Sequence, residues 1–271
     1  MKLDILMSCM NQTDDRLIRD SRILGDAVVI NQCGREDSRT YQTEHGTVRW
    51  FDSATKGLTV SRNMALEKSD AQICLLCDDD EVFERDYAEK IRGAYEALPD
   101  ADVIIFKMVG RTPSFEDRIM RLKFPMTMRV SSWQISFRRE SLMRTGVRFD
   151  ELLGAGTGNG AEEELKFLTD CEKAGLKIYY VPEEIAAVAQ TESTWFKGFD
   201  ETFFYNRGAT TRYILGWPMA AAYGLYYVVK KQQMYSGDIS PRKALQAIFR
   251  GIRENKIGKQ AGRQTRRPEK E

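Results

Sequence analysis

Three consecutive carboxylates, Asp78, Asp79 and Asp80, close the apolar run Ile73-Cys74-Leu75-Leu76-Cys77. Five apolar residues are too few for a buried helix and suit a buried strand. A strand that ends this way delivers its carboxylates to the edge of a sheet, where ligands of open α/β folds collect. Three like charges side by side repel one another, and a divalent cation carrying a phosphorylated substrate would neutralise them. A solvated acidic turn is the alternative that the triplet alone leaves open. Upstream, Gly57-Leu58-Thr59-Val60-Ser61-Arg62-Asn63 is a glycine turn feeding a helix. Its amides and Arg62 suit a diphosphate, or Arg62 simply pairs with Asp78 or Asp79. Downstream, Gly154-Ala155-Gly156-Thr157-Gly158-Asn159-Gly160 opens into Glu162-Glu163-Glu164. Four crowded glycines imply a sharp bend or the close approach of a ligand. A carboxylate there suits a general base that deprotonates an attacking hydroxyl, with plain helix capping as the alternative. The Lys-Ser/Thr pair of a phosphate-binding P-loop is missing. Trp195, in Glu192-Ser193-Thr194-Trp195-Phe196, either stacks on a sugar ring or fills core.

The elements that must position these residues read as alternating strands and helices. Strands are predicted over Leu3 to Cys9, Ala27 to Ile30, Thr47 to Phe51, Ile73 to Cys77 and Val103 to Val109. Helices are predicted over about Asp14 to Leu24, Thr59 to Lys68 and Arg85 to Leu98. This alternation implies a mostly parallel sheet with helices on both faces. Past Arg111 the pattern loosens, with a strand over Ser131 to Phe137, a helix over Glu162 to Lys173 and a strand over Lys177 to Val181 stopped by Pro182. From Thr194 the chain turns aromatic and helical, and its last dozen residues are expected to be disordered.

Bulk properties narrow the function. The 271 residues suffice for one large domain with or without an appendage, and a net charge of +1 gives no overall basic field for nucleic acid. After Asn255, however, Lys256, Lys259, Arg263, Arg266, Arg267 and Lys270 face only Glu269 and Glu271. The five cysteines read as free thiols in a reducing compartment. Cys74 and Cys77 form a CxxC pair, but on a strand they point to opposite faces, and His45 is the only histidine. The start, Met1 to Met7, carries Asp4 where a signal peptide needs an apolar run, so it reads as mature sequence. Tyr213 to Val229, interrupted by Gly216-Trp217-Pro218 and Gly224, falls short of the ~20 apolar residues of a spanning helix.

Strand one, the Gly57 to Asn63 element, the strand ending in the acidic triplet and Phe149-Asp150-Glu151-Leu152-Leu153-Gly154 with its following acidic pair occur in this order. That ordered set resembles the family 2 glycosyltransferases of GT-A fold, most of all the bacterial ones that build capsule, exopolysaccharide or O-antigen chains. The resemblance implies a GT-A domain over 1–195, a helical, aromatic-rich extension over 196–255 and a basic, disordered tail over 256–271. It implies a nucleotide-sugar donor, a UDP-sugar by preference, and a saccharide or lipid-linked saccharide acceptor. Asp78 and Asp80 match the DxD motif, with Asp78 near the ribose, Asp80 on a Mn²⁺ or Mg²⁺ that bridges the diphosphate, and both counted as metal residues. Asp79 is the variable middle position, counted with Ser8, Asn31, Gln32 and Arg62 on the nucleotide-sugar side. Glu163 and Glu164 match the ED motif, with Glu164 as catalytic base and Glu163 its rival. Trp195 is the acceptor-side or sugar-side residue. Two departures stand out: many relatives end strand two in an acid that contacts the base, where this chain has Asn31-Gln32, and many supply a metal-binding histidine after the ED motif, where this chain has none. Amides can still read a base edge. The implied location is cytoplasmic, with a peripheral membrane contact through the basic C-terminal region. A catalytically silent GT-A domain in a polysaccharide assembly complex is the alternative, opposed by intact carboxylates at both places; a metal-dependent nucleotidyltransferase would leave the second acidic motif unexplained.

Overall fold

The structure, a computed structural model, describes residues 1–111, 115–159, 162–188 and 198–264. In chain order they form β1 (Leu3–Met10), α1 (Arg16–Asp20), β2 (Asp26–Gln32), β3 (Asp37–Gln42), β4 (Thr47–Ser53), α2 (Leu58–Lys68), β5 (Ile73–Asp78), β6 (Glu81–Phe83), α3 (Tyr87–Ala97), β7 (Val103–Met108), β8 (Met120–Leu122), β9 (Ile135–Arg138), α4 (Arg139–Thr145), α5 (Glu163–Lys173) and β10 (Ile178–Val188). The helices α6 (Glu201–Lys230), α7 (Gln232–Tyr235), α8 (Pro241–Glu254) and α9 (Lys256–Gln264) follow.

The chain groups into two compact units. One comprises Met1–Phe149 and Glu164–Thr191, the other Asp150–Glu163 and Glu192–Glu271. This differs from the single boundary expected at 195, because the glycine-rich loop groups with the C-terminal helices. Tyr213 of α6 donates a 2.6 Å hydrogen bond to Asp150, and Arg207 of α6 holds Glu162.

In the first unit a mixed sheet runs β3-β4-β2-β1-β5-β9-β7-β10-β6, with β8 on β10. Its centre, β4-β2-β1-β5, is parallel. Strands buried on both faces read as near-continuous apolar runs, which is why Leu3–Met10 and Ile73–Asp78 are legible in sequence. Successive side chains feed two cores. Ile5, Met7 and Leu75 pack with Tyr87, Ile91 and Tyr95 of α3 on one face. On the other, Leu6 and Leu76 pack with Ala65 and Leu66 of α2 and Phe167 and Leu168 of α5. Cys77 falls in the first core and Cys74 in the second, so the CxxC spacing pairs nothing, and all five thiols are free.

Several expected elements change. Asp37–Gln42, for which the sequence predicts no element, is an exposed antiparallel strand on β4; a polar edge strand carries no apolar alternation to betray it. Only Arg16–Asp20 of the first predicted helix is helical. Ser131 caps a short 3₁₀ turn over Ser132–Gln134 before β9 begins. The last strand does not stop at Pro182 but continues to Val188, because a register shift between Val181 and Glu184 absorbs the missing proline N–H.

In the second unit α6 is broken at Gly216, whose φ of 79° and ψ of 176° lie outside any helix. α6 and α8 cross at contact distance. A Cβ on Gly208 would lie 2.1 Å from the Ile248 carbonyl oxygen, and one on Gly251 2.1 Å from that of Tyr205. Phe204, Tyr227, Tyr235 and Ile248 fill this unit's core. The stretch after Asn255, expected to be disordered, begins as helix α9: Asn255 turns the chain at φ 45° and Ile257 is fully buried. Residues 265–271 lie outside the described residues. Among the described residues no helix is long and apolar enough to cross a membrane.

Candidate functional site

Parallel register brings the chemistry-bearing residues to one edge of the first unit. Ser8 stands opposite Asp78 across β1 and β5, Cys9 opposite Asn31 across β1 and β2, and Asn31 opposite Asp52 across β2 and β4. The carboxyl ends of these strands therefore form a continuous polar rim, the place where open α/β sheets bind ligands.

Arg62 is the hub of this rim. It is 1% exposed, unusual for a guanidinium unless it is paired. Its Nη2 donates to Asp78 Oδ1 at 2.9 Å, and its Nη1 stands 3.8 Å from Glu164 Oε1. Its guanidinium lies over the Phe149 ring at 5.6 Å. The neighbouring Asn63 clasps the Phe149 backbone, donating to its carbonyl and accepting from its N–H, both at 2.9 Å. The helix that carries both residues starts at Gly57, whose φ of 131° favours glycine. Gln32 accepts the Gly57 N–H at 2.7 Å, and Ser8 accepts from Ser61 at 2.8 Å. Both side chains are buried and fix α2 against the sheet.

The acidic triplet divides its roles. Asp78 has one oxygen on Arg62 and the other on the Ser132 hydroxyl at 2.9 Å, and its N–H donates to Glu81 Oε1 at 2.7 Å. Asp79 and Asp80 occupy the turn that follows. Partial desolvation, then repulsion from Asp78, raises both carboxyls above the ordinary range. Burial, reinforced by Asp78, pushes Glu81 much further up. Such carboxyls gain from a cation. Among the described residues no three Asp, Glu, His or Cys side chains are arranged to hold a metal. With Asp78 engaged on both oxygens, Asp79 and Asp80 are the triplet's carboxylates that could meet a Mg²⁺ or Mn²⁺, whose shell phosphate oxygens and water would complete.

The amide of Asn31, expected to face a base, is bonded within the fold. Asn31 is fully buried; its Nδ2 donates to the Gln12 carbonyl at 2.9 Å and to Asp52 Oδ1 at 2.8 Å, and its Oδ1 accepts the Gln12 N–H at 2.9 Å. An amide so committed has nothing left for a ligand. Opposite Asn31, on β4, stands an acid, Asp52. Asp52 accepts Trp50 Nε1 at 2.9 Å, Asn31, and Arg35 Nε at 2.7 Å. Sequence reading missed Asp52 because it follows the apolar stretch Trp50-Phe51 as a lone acid. Burial alone would raise its carboxyl, but the hydrogen bonds from Trp50, Asn31 and Arg35 hold it at about 2. A depressed carboxyl stabilises the fold above its unfolded value near 4, and that contribution fades as pH falls through about 2. Asp52→Asn is therefore expected to cost about 2 kcal/mol above pH 4, with the gap narrowing as pH falls toward 2; chemical denaturation across that range measures it.

The glycine-rich loop bends left-handed at Gly154, Gly156 and Gly158, with φ of 96°, 89° and 77°, so its glycines serve backbone geometry. Glu162 also takes a positive φ of 72° and pairs with Arg207 Nη1 at 2.6 Å, while Arg207 donates in turn to the Tyr223 hydroxyl at 2.8 Å. Of the three adjacent glutamates, Glu162 is thus spent on the C-terminal helices. Glu163 opens α5 and is buried; Glu164 is half-buried on Arg62. Trp195 lies outside the described residues.

Residues 26–150 match the family model described as Glycosyl transferase family 2. In fold, the chain is similar to residues 1–349 of S. aureus TarS. The crystal structure of that protein in complex with UDP-GlcNAc aligns with a TM-score of 0.62 at 14% identity, over 98% of this chain and 92% of that one. Its complex with UDP aligns with a TM-score of 0.60 at the same identity and the same coverage. A longer S. aureus TarS structure aligns with a TM-score of 0.53 at 12% identity, over 94% of this chain and 43% of that one. No curated protein matches the chain in sequence.

Proposed function

We propose that the chain, whose residues 26–150 match the model described as Glycosyl transferase family 2, is such an enzyme and moves a sugar from a UDP-sugar to a hydroxyl of a saccharide or lipid-linked saccharide acceptor, as a step in building a bacterial surface polysaccharide. The observation that carries this reading is Arg62, buried between Asp78 at the end of β5 and Glu164 in the first turn of α5. One side chain thereby ties the carboxylate of the nucleotide side to the carboxylate that serves as base. Two of the S. aureus TarS structures hold UDP or UDP-GlcNAc, which supports the choice of nucleotide.

Transfer is a single inverting step. Glu164 takes the proton of the acceptor hydroxyl as that oxygen attacks the anomeric carbon. Asp78, braced by Arg62 and Ser132, orients the ribose side, with Asp79 beside it. Asp80 and Asp78 would hold a Mn²⁺ or Mg²⁺, which would offset charge on the leaving nucleoside diphosphate. Ser8, Asn31, Gln32 and Asp52 act from behind as the scaffold of the nucleotide edge.

The test is a thermal-shift screen of UDP-, GDP- and dTDP-sugars with and without Mn²⁺, followed by assay of nucleotide release. A UDP-sugar with Mn²⁺ is expected to stabilise the protein by about 2.7 kcal/mol at a hundredfold excess over Kd and to release UDP slowly. If no nucleotide sugar stabilises the chain or is turned over, the reading falls.

A further inference from the structure

Past the break at Gly216, α6 buries one face and exposes another. Ala220, Gly224, Tyr227 and Val228 face inward, with Gly224 close against the side chain of Ile248. At the complementary positions Trp217, Met219, Leu225, Tyr226 and Val229 are exposed, Val229 by 67%. Met219, Ala222, Tyr226 and Val229, all exposed, recur at helical spacing and form a stripe along the helix. Single exposed apolar residues need no explanation, but a contiguous row marks an interaction surface.

Charge surrounds the stripe. Between Gly198 and Gln264 eleven Lys and Arg stand against four Asp and Glu, although the whole chain carries only +1. Lys230 and Lys231, both exposed, close the stripe at one end. At the other end Trp217 shares a hollow of about 570 Å³ with Lys243, Arg250 and Arg253 of α8 and one acid, Glu201, 3.8 Å from Arg250. Aromatic and aliphatic side chains rimmed by cations are what a helix lying in the headgroup layer presents: Trp and Tyr sit at the interface, Lys and Arg meet the phosphates. As no helix among the described residues is long and apolar enough to cross a bilayer, the contact runs along the surface.

We propose that this face of the C-terminal unit docks on an anionic phospholipid bilayer, with Trp217, Leu225, Tyr226 and Val229 entering the headgroup layer and Lys230, Lys231, Lys243, Arg250 and Arg253 binding lipid phosphates. A second copy of the chain is the poorer occupant, because a two-fold contact across the stripe would set the same cations against one another. The inference is independent of the transfer reaction.

Flotation of the full chain with vesicles tests it. The protein is expected to float with two-to-one phosphatidylcholine–phosphatidylglycerol vesicles and not with phosphatidylcholine alone. Two double variants, Lys230→Glu with Lys231→Glu and Leu225→Ser with Val229→Ser, alter exposed positions and are expected to keep the wild-type melting temperature. Each is expected to weaken binding to the anionic vesicles by about tenfold or more. Absence of wild-type flotation on anionic vesicles, or equal flotation of wild type and both variants, overturns the proposal. So does a dimer in lipid-free sedimentation that either variant dissolves, which would assign the face to a second copy. Release of UDP from a UDP-sugar in solution, measured on the same proteins, reads the transfer site separately.

Discussion

Glu164→Gln is expected to lower sugar transfer by about 10²–10⁴-fold while leaving stabilisation by UDP-sugar and Mn²⁺ at the wild-type level. The substitution keeps shape and hydrogen-bonding reach and removes only the capacity to accept a proton. Glu164 stands 3.8 Å from Arg62, and Glu162 is held by Arg207. Arg62 donates to Asp78 at 2.9 Å and stands 3.8 Å from Glu164, which sets the Glu164 carboxylate beside the nucleotide edge. Glu163→Gln is the internal comparison. Glu163 is buried beside Glu164 at the start of α5 and is expected to cost far less in turnover. Should Glu164→Gln turn over normally and Glu163→Gln not, the assigned base is wrong; if neither variant slows transfer, the proposed step has no carboxylate base in this helix.

What could be read in advance depended on how a residue's surroundings imprint on its neighbours. β1 and β5 are buried on both faces, so an unbroken apolar run followed by acids is legible without any partner strand. The acidic triplet, the Arg62 turn and the glutamate run were found for the same reason, each being a local cluster of chemistry. β3 was missed because its burial is negligible and its sequence, DSRTYQ, is polar throughout. Asp52 was missed because its importance lies across the sheet: it matters through Asn31 on β2, Trp50 on its own strand and Arg35 in the loop after β2, contacts that only register creates. The same long-range accounting reversed the reading of Asn31, whose amide looks available in sequence and is spent on Gln12 and Asp52 in the fold. Which of three adjacent glutamates is structural was likewise decided from elsewhere, by Arg207 on α6.

Arg62→Met is expected to destabilise the protein by about 3–5 kcal/mol, because removing one partner of a buried ion pair strands the other. Arg62 is 1% exposed and serves two carboxylates at once, Asp78 and Glu164. Methionine fills much of the same volume, so the loss reports charge and hydrogen bonding more than a cavity. Asp78 would keep its Ser132 hydroxyl but would stand beside Asp79 and Asp80 with no cation, and Glu81 already shows how far burial near this cluster raises a carboxyl. In a chain of this size that corresponds to a fall in melting temperature on the order of 10 °C. Arg62→Lys should lie between, restoring charge but not the fork that reaches both acids. Addition of Mn²⁺ with UDP then separates stability from function: if it rescues the melting temperature of Arg62→Met, a cation at the triplet substitutes for the lost guanidinium. If the variant is as stable as wild type across pH, Arg62 is not the counter-charge that holds this edge together.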